Sequence, residues 1–322
     1  MPDALKIAVT ADDMQLFKDG PHLDRLREYG QVSVYPNLPK TVEEQIARSA
    51  GAQIVVGSSS ALDWPTEVFN ALPDLKLFTS ATIGMDSVDL AAAAANGVTV
   101  CNVPGKTSPV VAEHALALML AAARRLPAYT AALRGGAWPN VHGTYLAGKT
   151  LGIVGTGNSG AHLARLARGI GMNVVAWTFN PSETRAAELG VRFVELDDLL
   201  QTADVVSLHV RLTSDTRHLI GKRQFAMMKP GSFLINVARG PIVDTDALVE
   251  ALNSRHLAGA GVDVFDSEPM PKDHPLLACE NVVLTPHRAD NTPEGNAFLA
   301  DGVVENVTAY LAGHPQNVVT AS

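Results

Sequence analysis

The 322-residue sequence predicts an α/β protein of two Rossmann-like/flavodoxin-like domains with parallel sheets, the substrate domain being formed by the N-terminal part plus the C-terminal helix. Three observations predict it. Short apolar runs with strand character alternate with stretches of helical spacing, which is the pattern of parallel sheets joined by crossover helices. The alternation stops near residue 101 and restarts at Thr150, and a chain of this length exceeds what one core usually holds. A glycine triplet, Gly155, Gly157 and Gly160, sits between an apolar strand and a helix at the head of the second series.

In chain order, strands are expected at residues 5–10, 32–35, 53–56, 75–80 and 98–100, with the alanine-rich 91–95 as helix. The second series follows at 150–155, 173–178, 191–193, 204–208, 233–237, 258–264 and 282–285, with a helix at about 159–170. Between the two series, 104–148 holds one apolar helix at about 108–124 and then an irregular stretch around Trp138. The helix carries apolar residues on more than one face, as expected of an element buried between domains or subunits. This region is the expected hinge and a subunit contact. The domains are therefore set at 1–101 plus 290–322 for the substrate domain, and at 102–289 for the second.

Composition narrows the function. Hydrophobic residues make up 47% of the chain and charged residues 18%, as in an ordinary globular protein, and the net charge is −8. A nucleic-acid or anionic-membrane partner needs clustered Lys and Arg, so neither is expected. Cys101 and Cys279 form no disulfide framework, and no Cys or His spacing suggests a metal. The amino terminus enters a strand pattern without a basic and then apolar leader, and the apolar run 115–123 is too short to span a bilayer. A cytoplasmic setting is expected.

The glycine triplet carries the first chemical reading. Gly155 suits a tight turn, Gly157 close approach of a pyrophosphate to backbone, and Gly160 close packing of helix on strand. The helix N-terminus then offers unpaired N–H groups and a favourable dipole to phosphates. A formal triphosphate-loop match at 143–150 is rejected, because it opens a strand and not a helix. Past the ends of later strands stand three polar residues: Arg239 in Asn-Val-Ala-Arg-Gly-Pro, Glu268 in Asp-Val-Phe-Asp-Ser-Glu-Pro and His287 in Leu-Thr-Pro-His-Arg-Ala-Asp. A parallel sheet places its ligand crevice at those ends.

Together with the glycine loop, these segments resemble the D-isomer-specific 2-hydroxyacid dehydrogenase family. The resemblance extends over nearly the whole chain, through Ala81-Thr-Ile-Gly84-Met-Asp86, Asn102-Val-Pro-Gly105, Val111-Ala-Glu-His114, Ala203-Asp-Val-Val-Ser-Leu-His209 and Lys229-Pro-Gly-Ser-Phe-Leu-Ile-Asn236. It implies interconversion of a small 2-keto acid and its D-2-hydroxy acid, with Arg239, Glu268 and His287 as the catalytic residues. His287 would be acid in reduction and base in oxidation, Glu268 would orient its ring, and Arg239 would clamp the substrate by paired hydrogen bonds. The resemblance further implies that the Ile83 and Gly84 N–H groups bind the substrate carboxylate, alongside Arg239 and His287. For the cofactor it implies Gly155, Thr156, Gly157, Asn158, Ser159, Gly160, Thr178, Asn180, His209, Val210, Thr216, Val237, Ala238, Arg239, Asp263 and His287. It also implies a homodimer formed through the nucleotide domain.

Departures from the family pattern refine the cofactor. Its NAD-preferring members place an acidic residue after the second strand, where this chain has Thr178, then Asn180 and Ser182. The missing acid, with Arg185 and Arg211 as counter-charges, favours NADP over NAD. Arg288-Ala-Asp290-Asn291 replaces the usual small apolar residues and glycine after the histidine and leaves the substrate open among glyoxylate, hydroxypyruvate and other small or aromatic 2-keto acids. His114 is expected to pack within its helix, and Trp138 either to wall a pocket or to pack at the hinge. The competing expectations are a dinucleotide-sensing interaction protein of the same fold and a phosphite-type dehydrogenase.

Overall fold

The computed structural model describes residues 4–59 and 61–321. The chain divides into two units: the first runs to Thr107 and resumes at Asn291, and the second is Ser108–Asp290. The sequence reading set these divisions at 101/102 and 289/290.

In the first unit, β1 (Lys6–Val9), β2 (Gln31–Val34), β3 (Ile54–Gly57), β4 (Leu77–Ser80) and β5 (Thr99–Cys101) form a parallel sheet in the order β2-β1-β3-β4-β5. That is the flavodoxin-like order. β3 and β4 are buried along their whole length, which is why β3 reads as an unbroken apolar run, whereas β4 closes on the buried Thr79 and Ser80. One face is covered by Trp64, Phe69 and Phe78, with the Trp64 and Phe78 rings 4.5 Å apart. The other is covered partly by the helix Pro293–Leu311, whose Leu299, Val303, Val304 and Val307 pack with Ile7, Val9, Ile54 and Val56. This helix begins sharply because Thr292 accepts the Gly295 N–H at 2.9 Å and proline opens the first turn.

The second unit contains β6 (Thr150–Val154), β7 (Asn173–Trp177), β8 (Arg192–Phe193), β9 (Val205–Leu208), β10 (Ser232–Asn236), β11 (Leu257–Val262) and β12 (Val282–Leu284). They pair in parallel in the order β12-β11-β10-β9-β6-β7-β8, so the chain reverses its direction of build at β6 and β9. In open α/β sheets ligands bind beyond the strand ends at such a reversal.

One sequence expectation needs correction here: the stretch after residue 124, expected to be irregular, opens with a helix. The helix Ser108–Arg124 is an integral part of the second unit's core: Ala112, Ala115, Leu118 and Met119 pack with Leu151, Ile153 and Ile235 of β6 and β10. Its small residues explain the apolar character on several sides. A second helix, Leu126–Arg134, follows after Arg125 breaks the first with φ 56°. It buries none of its residues, so no amphipathic pattern announced it. Among the described residues, no helix is long and apolar enough to cross a membrane.

Candidate active site

The glycine loop follows β6 and opens the helix Asn158–Gly169. Gly155 has φ 98°, and a Cβ there would lie 2.8 Å from the His209 carbonyl carbon and the Val210 nitrogen, so only glycine lets the loop press against the end of β9. Gly160 backs onto the Gly155 carbonyl oxygen, 2.2 Å from where a Cβ would stand. Gly157 differs, because a Cβ there would meet nothing within 4 Å. The protein's own packing does not require that glycine. Bare backbone over a helix N-terminus with no side-chain cap is what a pyrophosphate needs, and the residues present therefore fit a dinucleotide.

Past β7, Thr178 is half-buried and Asn180 exposed. Ser182 caps the helix Glu183–Leu189 by accepting the Arg185 N–H at 3.2 Å, and the Arg185 guanidinium crosses back to donate to the Thr156 carbonyl in the glycine loop. The Arg185 Nε is buried with no partner among the described residues. His209 Nε2 lies 2.9 Å from the Ser207 hydroxyl, and burial pushes its imidazole down to about 4, so the ring is neutral at physiological pH.

Arg239, Glu268 and His287 all lie in the second unit, beyond the carboxyl ends of β10, β11 and β12. His287 Nδ1 is 2.5 Å from Glu268 Oε2, and Glu268 Oε1 accepts the Phe265 N–H at 2.9 Å. The hydrogen bond to Glu268 holds the imidazole above its ordinary value; the Glu268 and Asp263 charges add to this, and burial and the Arg239 charge oppose it. Burial alone would raise the Glu268 carboxyl. The hydrogen bonds from His287 and Phe265, with the His287 and Arg239 charges, outweigh it and hold Glu268 below its usual range. With Nδ1 committed to the carboxylate, Nε2 is the nitrogen placed to exchange a proton with a ligand. Arg239 Nη1 donates to the Ala238 carbonyl at 2.7 Å.

Buried residues beneath this trio set its geometry, and sequence reasoning missed two of them. Asn236 donates from Nδ2 to the Arg239 carbonyl at 2.9 Å and accepts the Ala238 N–H at 3.0 Å. Gly240 touches the Glu268 loop so closely that a Cβ would lie 2.1 Å from the Phe265 carbonyl carbon. The available signals were a polar residue closing an apolar strand and a glycine beside the arginine. Asp263, expected at the cofactor, uses its carboxylate within the protein: Oδ1 accepts the Thr285 hydroxyl at 2.5 Å and the Arg288 N–H at 2.9 Å, and Oδ2 accepts the Ala289 N–H at 3.0 Å. The Asp263 carbonyl accepts the His287 N–H at 2.7 Å. These bonds fix His287 at φ 50°, a left-handed backbone that a non-glycine residue keeps only where its surroundings impose it. Thr216 likewise uses its hydroxyl within the protein, donating to the Arg211 carbonyl at 2.6 Å.

Ile83 and Gly84 lie in the first unit, in the loop after β4. Their carbonyls are tied back: Asn102 Nδ2 donates to Ile83 at 2.7 Å and the Thr82 hydroxyl to Gly84 at 2.8 Å. Among the described residues, neither N–H has a protein acceptor.

This fold and this site define a dinucleotide-dependent oxidoreductase. A family model described as D-isomer specific 2-hydroxyacid dehydrogenase, NAD binding domain, matches residues 116–289. The chain is 42% identical to a glyoxylate reductase of Korarchaeum cryptofilum over 79% of this chain and 78% of that protein. It is 40% identical to a D-3-phosphoglycerate dehydrogenase of Archaeoglobus fulgidus over 81% of this chain, but the match spans only 50% of that protein. Among solved structures, an acyclic imino acid reductase in complex with NADPH and D-Arg aligns with a TM-score of 0.87 at 27% identity, covering 98% of this chain and 100% of that one. The chain belongs to the D-isomer specific 2-hydroxyacid dehydrogenase family.

Proposed function

We propose that the protein reduces a small 2-keto acid of the glyoxylate or hydroxypyruvate type to its D-2-hydroxy acid, with NADPH as the favoured cofactor. The observation that carries this reading is the His287 and Glu268 pair, whose 2.5 Å contact holds the imidazole above its ordinary value beside the Arg239 charge. A reduced nicotinamide, when bound, supplies the hydride to the carbonyl carbon. His287 Nε2 gives the proton to the carbonyl oxygen, and Glu268 stabilises the charged ring beforehand. Arg239 pairs with the carboxylate and carbonyl oxygens of the acid, and the Ile83 and Gly84 N–H groups are further carboxylate donors. The glycine loop with Asn158 and Ser159 takes the pyrophosphate, and Thr178, Asn180, His209, Val210, Val237 and Ala238 border the rest of the cofactor.

The NADPH preference is supported by the absence of a carboxylate at Thr178 and by the course of Arg185, which runs from beyond β7 to the glycine loop. A homodimer is supported by the apolar surface of the second unit: Leu126, Leu133, Trp138 and Tyr145 are exposed, Trp138 to 90%, and Tyr129 ties the outer segment to the helix by donating to the Val141 carbonyl. A cytoplasmic setting is in keeping with two buried, unpaired cysteines. Initial rates with NADPH and NADH against glyoxylate, hydroxypyruvate, pyruvate, phenylpyruvate and 2-ketoisocaproate test the reading. Turnover of one or more acids, faster with NADPH, is expected. Equal or better efficiency with NADH removes the preference, and no turnover with either cofactor removes the activity.

A further inference from the structure

The helix Ser108–Arg124 contributes one polar side chain to the buried network under the catalytic turn. His114 Nε2 lies 2.9 Å from Thr285 Oγ1 and 3.6 Å from Asp263 Oδ1. The Thr285 hydroxyl proton is directed to the fully buried Asp263 at 2.5 Å, so Thr285 Oγ1 must accept at its other side. That requirement fixes His114 in the tautomer with hydrogen on Nε2. A directed chain results: His114 donates to Thr285, Thr285 donates to Asp263, and Asp263 receives the N–H groups of Arg288 and Ala289, the two residues that follow His287.

We propose that His114 is a positioning residue. It holds Thr285 and Asp263 in register, and through them the left-handed turn that sets His287 against Glu268, without itself touching substrate. The network explains why a histidine is used in a helix whose packing otherwise relies on alanine, leucine and methionine. Without the donor, the Thr285 hydroxyl is free to rotate away, and Asp263 loses both its polarised partner and its nearest imidazole. The turn then relaxes in a site where small displacements are costly. Asp263 faces His114, and Glu268, Asp263 and Arg239 face His287. The inference rests on the reading of His287 as proton donor, yet its structural half can be measured without any substrate.

The test compares wild type with His114→Leu, His114→Gln and Thr285→Val in the full-length protein. The first readout is the titration midpoint of the His287 ring by NMR, assigned through its loss in His287→Gln. In His114→Leu the midpoint should fall by about half a pH unit or more as the Glu268 contact loosens. His114→Gln should restore it, because an amide N–H can replace Nε2–H as donor to Thr285. Thr285→Val, which keeps the shape and removes the relay, should match His114→Leu even if the latter folds poorly, and the double variant should be no worse than either single one. In turnover, kcat should fall about tenfold or more with the cofactor KM little changed. An unmoved His287 midpoint in Thr285→Val or in folded His114→Leu overturns the proposal. So does a failure of His114→Gln to restore it, which would assign the effect to ring bulk. If the midpoints move as expected while wild type reduces no 2-keto acid, the positioning role stands and the proposed function falls.

Discussion

The Asp263 N–H donates to the Asn236 carbonyl at 3.0 Å. This bond ties the end of β11 to the end of β10. Asn236 holds the turn that carries Arg239, and Asp263 holds the turn that carries His287. Arg239 and His287 are thus set relative to one another by hydrogen bonds at two adjacent strand ends. Preorganisation of this kind is what an acid-base site needs to act at fixed geometry.

His287→Gln should lower kcat for keto-acid reduction by about 10²–10⁴-fold, the usual contribution of a positioned general acid. Dinucleotide affinity, measured by quenching of protein fluorescence, should stay within a factor of about two. Loss of cofactor binding in step with rate would place His287 in a structural role instead.

The pH dependence follows from the direction of the two shifts. Because Glu268 raises the His287 pKa, the reductive kcat should be flat at mildly acidic pH and fall as pH rises through that raised value, and the oxidative rate should rise over the same range. Glu268→Gln removes the largest raising influence, so the falling limb should move to lower pH. The same pair contributes to stability. The His287 share is complete below its ordinary value of 6.5 and is lost as pH rises through the raised one. The Glu268 share is complete above its ordinary value of 4.5 and is lost as pH falls through the depressed one. Thermal melts should therefore show the pair's full contribution between those two ordinary values, and a Glu268→Gln variant should show none of it.

Gly157→Ala separates cofactor binding from folding. Its Cβ would enter open space and its φ of −61° suits any residue, so the melting temperature should be unchanged. The methyl group would stand where a pyrophosphate approaches, and dinucleotide affinity should fall about tenfold or more. An Ala variant that binds as tightly as wild type would remove the glycine loop from the cofactor site.

Gly240→Ala should behave in the opposite way. Its Cβ would meet the Phe265 backbone at 2.1 Å and the Asp266 nitrogen at 2.5 Å, so the Arg239 turn and the Glu268 loop must part. Overpacking of this kind costs about 1–3 kcal/mol, a fall of roughly several degrees in melting temperature. Turnover should fall as well, because the separated segments carry two of the three groups proposed to act in catalysis. A variant with wild-type melting temperature and rate would show that the contact is dispensable.

The legible parts of this molecule were those written locally. β3 and β10 announced themselves as continuous apolar runs, and the glycine loop by its position between strand and helix. Arg239, Glu268 and His287 could be picked out because each follows an apolar strand. What could not be read depends on partners far apart in the chain. His114 and Thr285 are separated by 171 positions, and nothing in either neighbourhood distinguishes a helix histidine that packs from one that donates to a threonine. Gly240 has meaning only against the Phe265 backbone. The helix Leu126–Arg134 escaped because its apolar residues face outward, so burial did not shape its sequence.

The helix Pro293–Leu311 completes a sheet whose strands all precede Thr107. During synthesis, the second unit emerges as one uninterrupted stretch and has every residue it needs by Asp290, whereas the first must wait for residues from Asn291 onward. Until then Ile7, Val9, Ile54 and Val56 lack the layer supplied by Leu299, Val303, Val304 and Val307. The nucleotide unit can thus be complete while the preceding sheet is still incompletely covered, and until residue 311 has been made that apolar face is an aggregation liability.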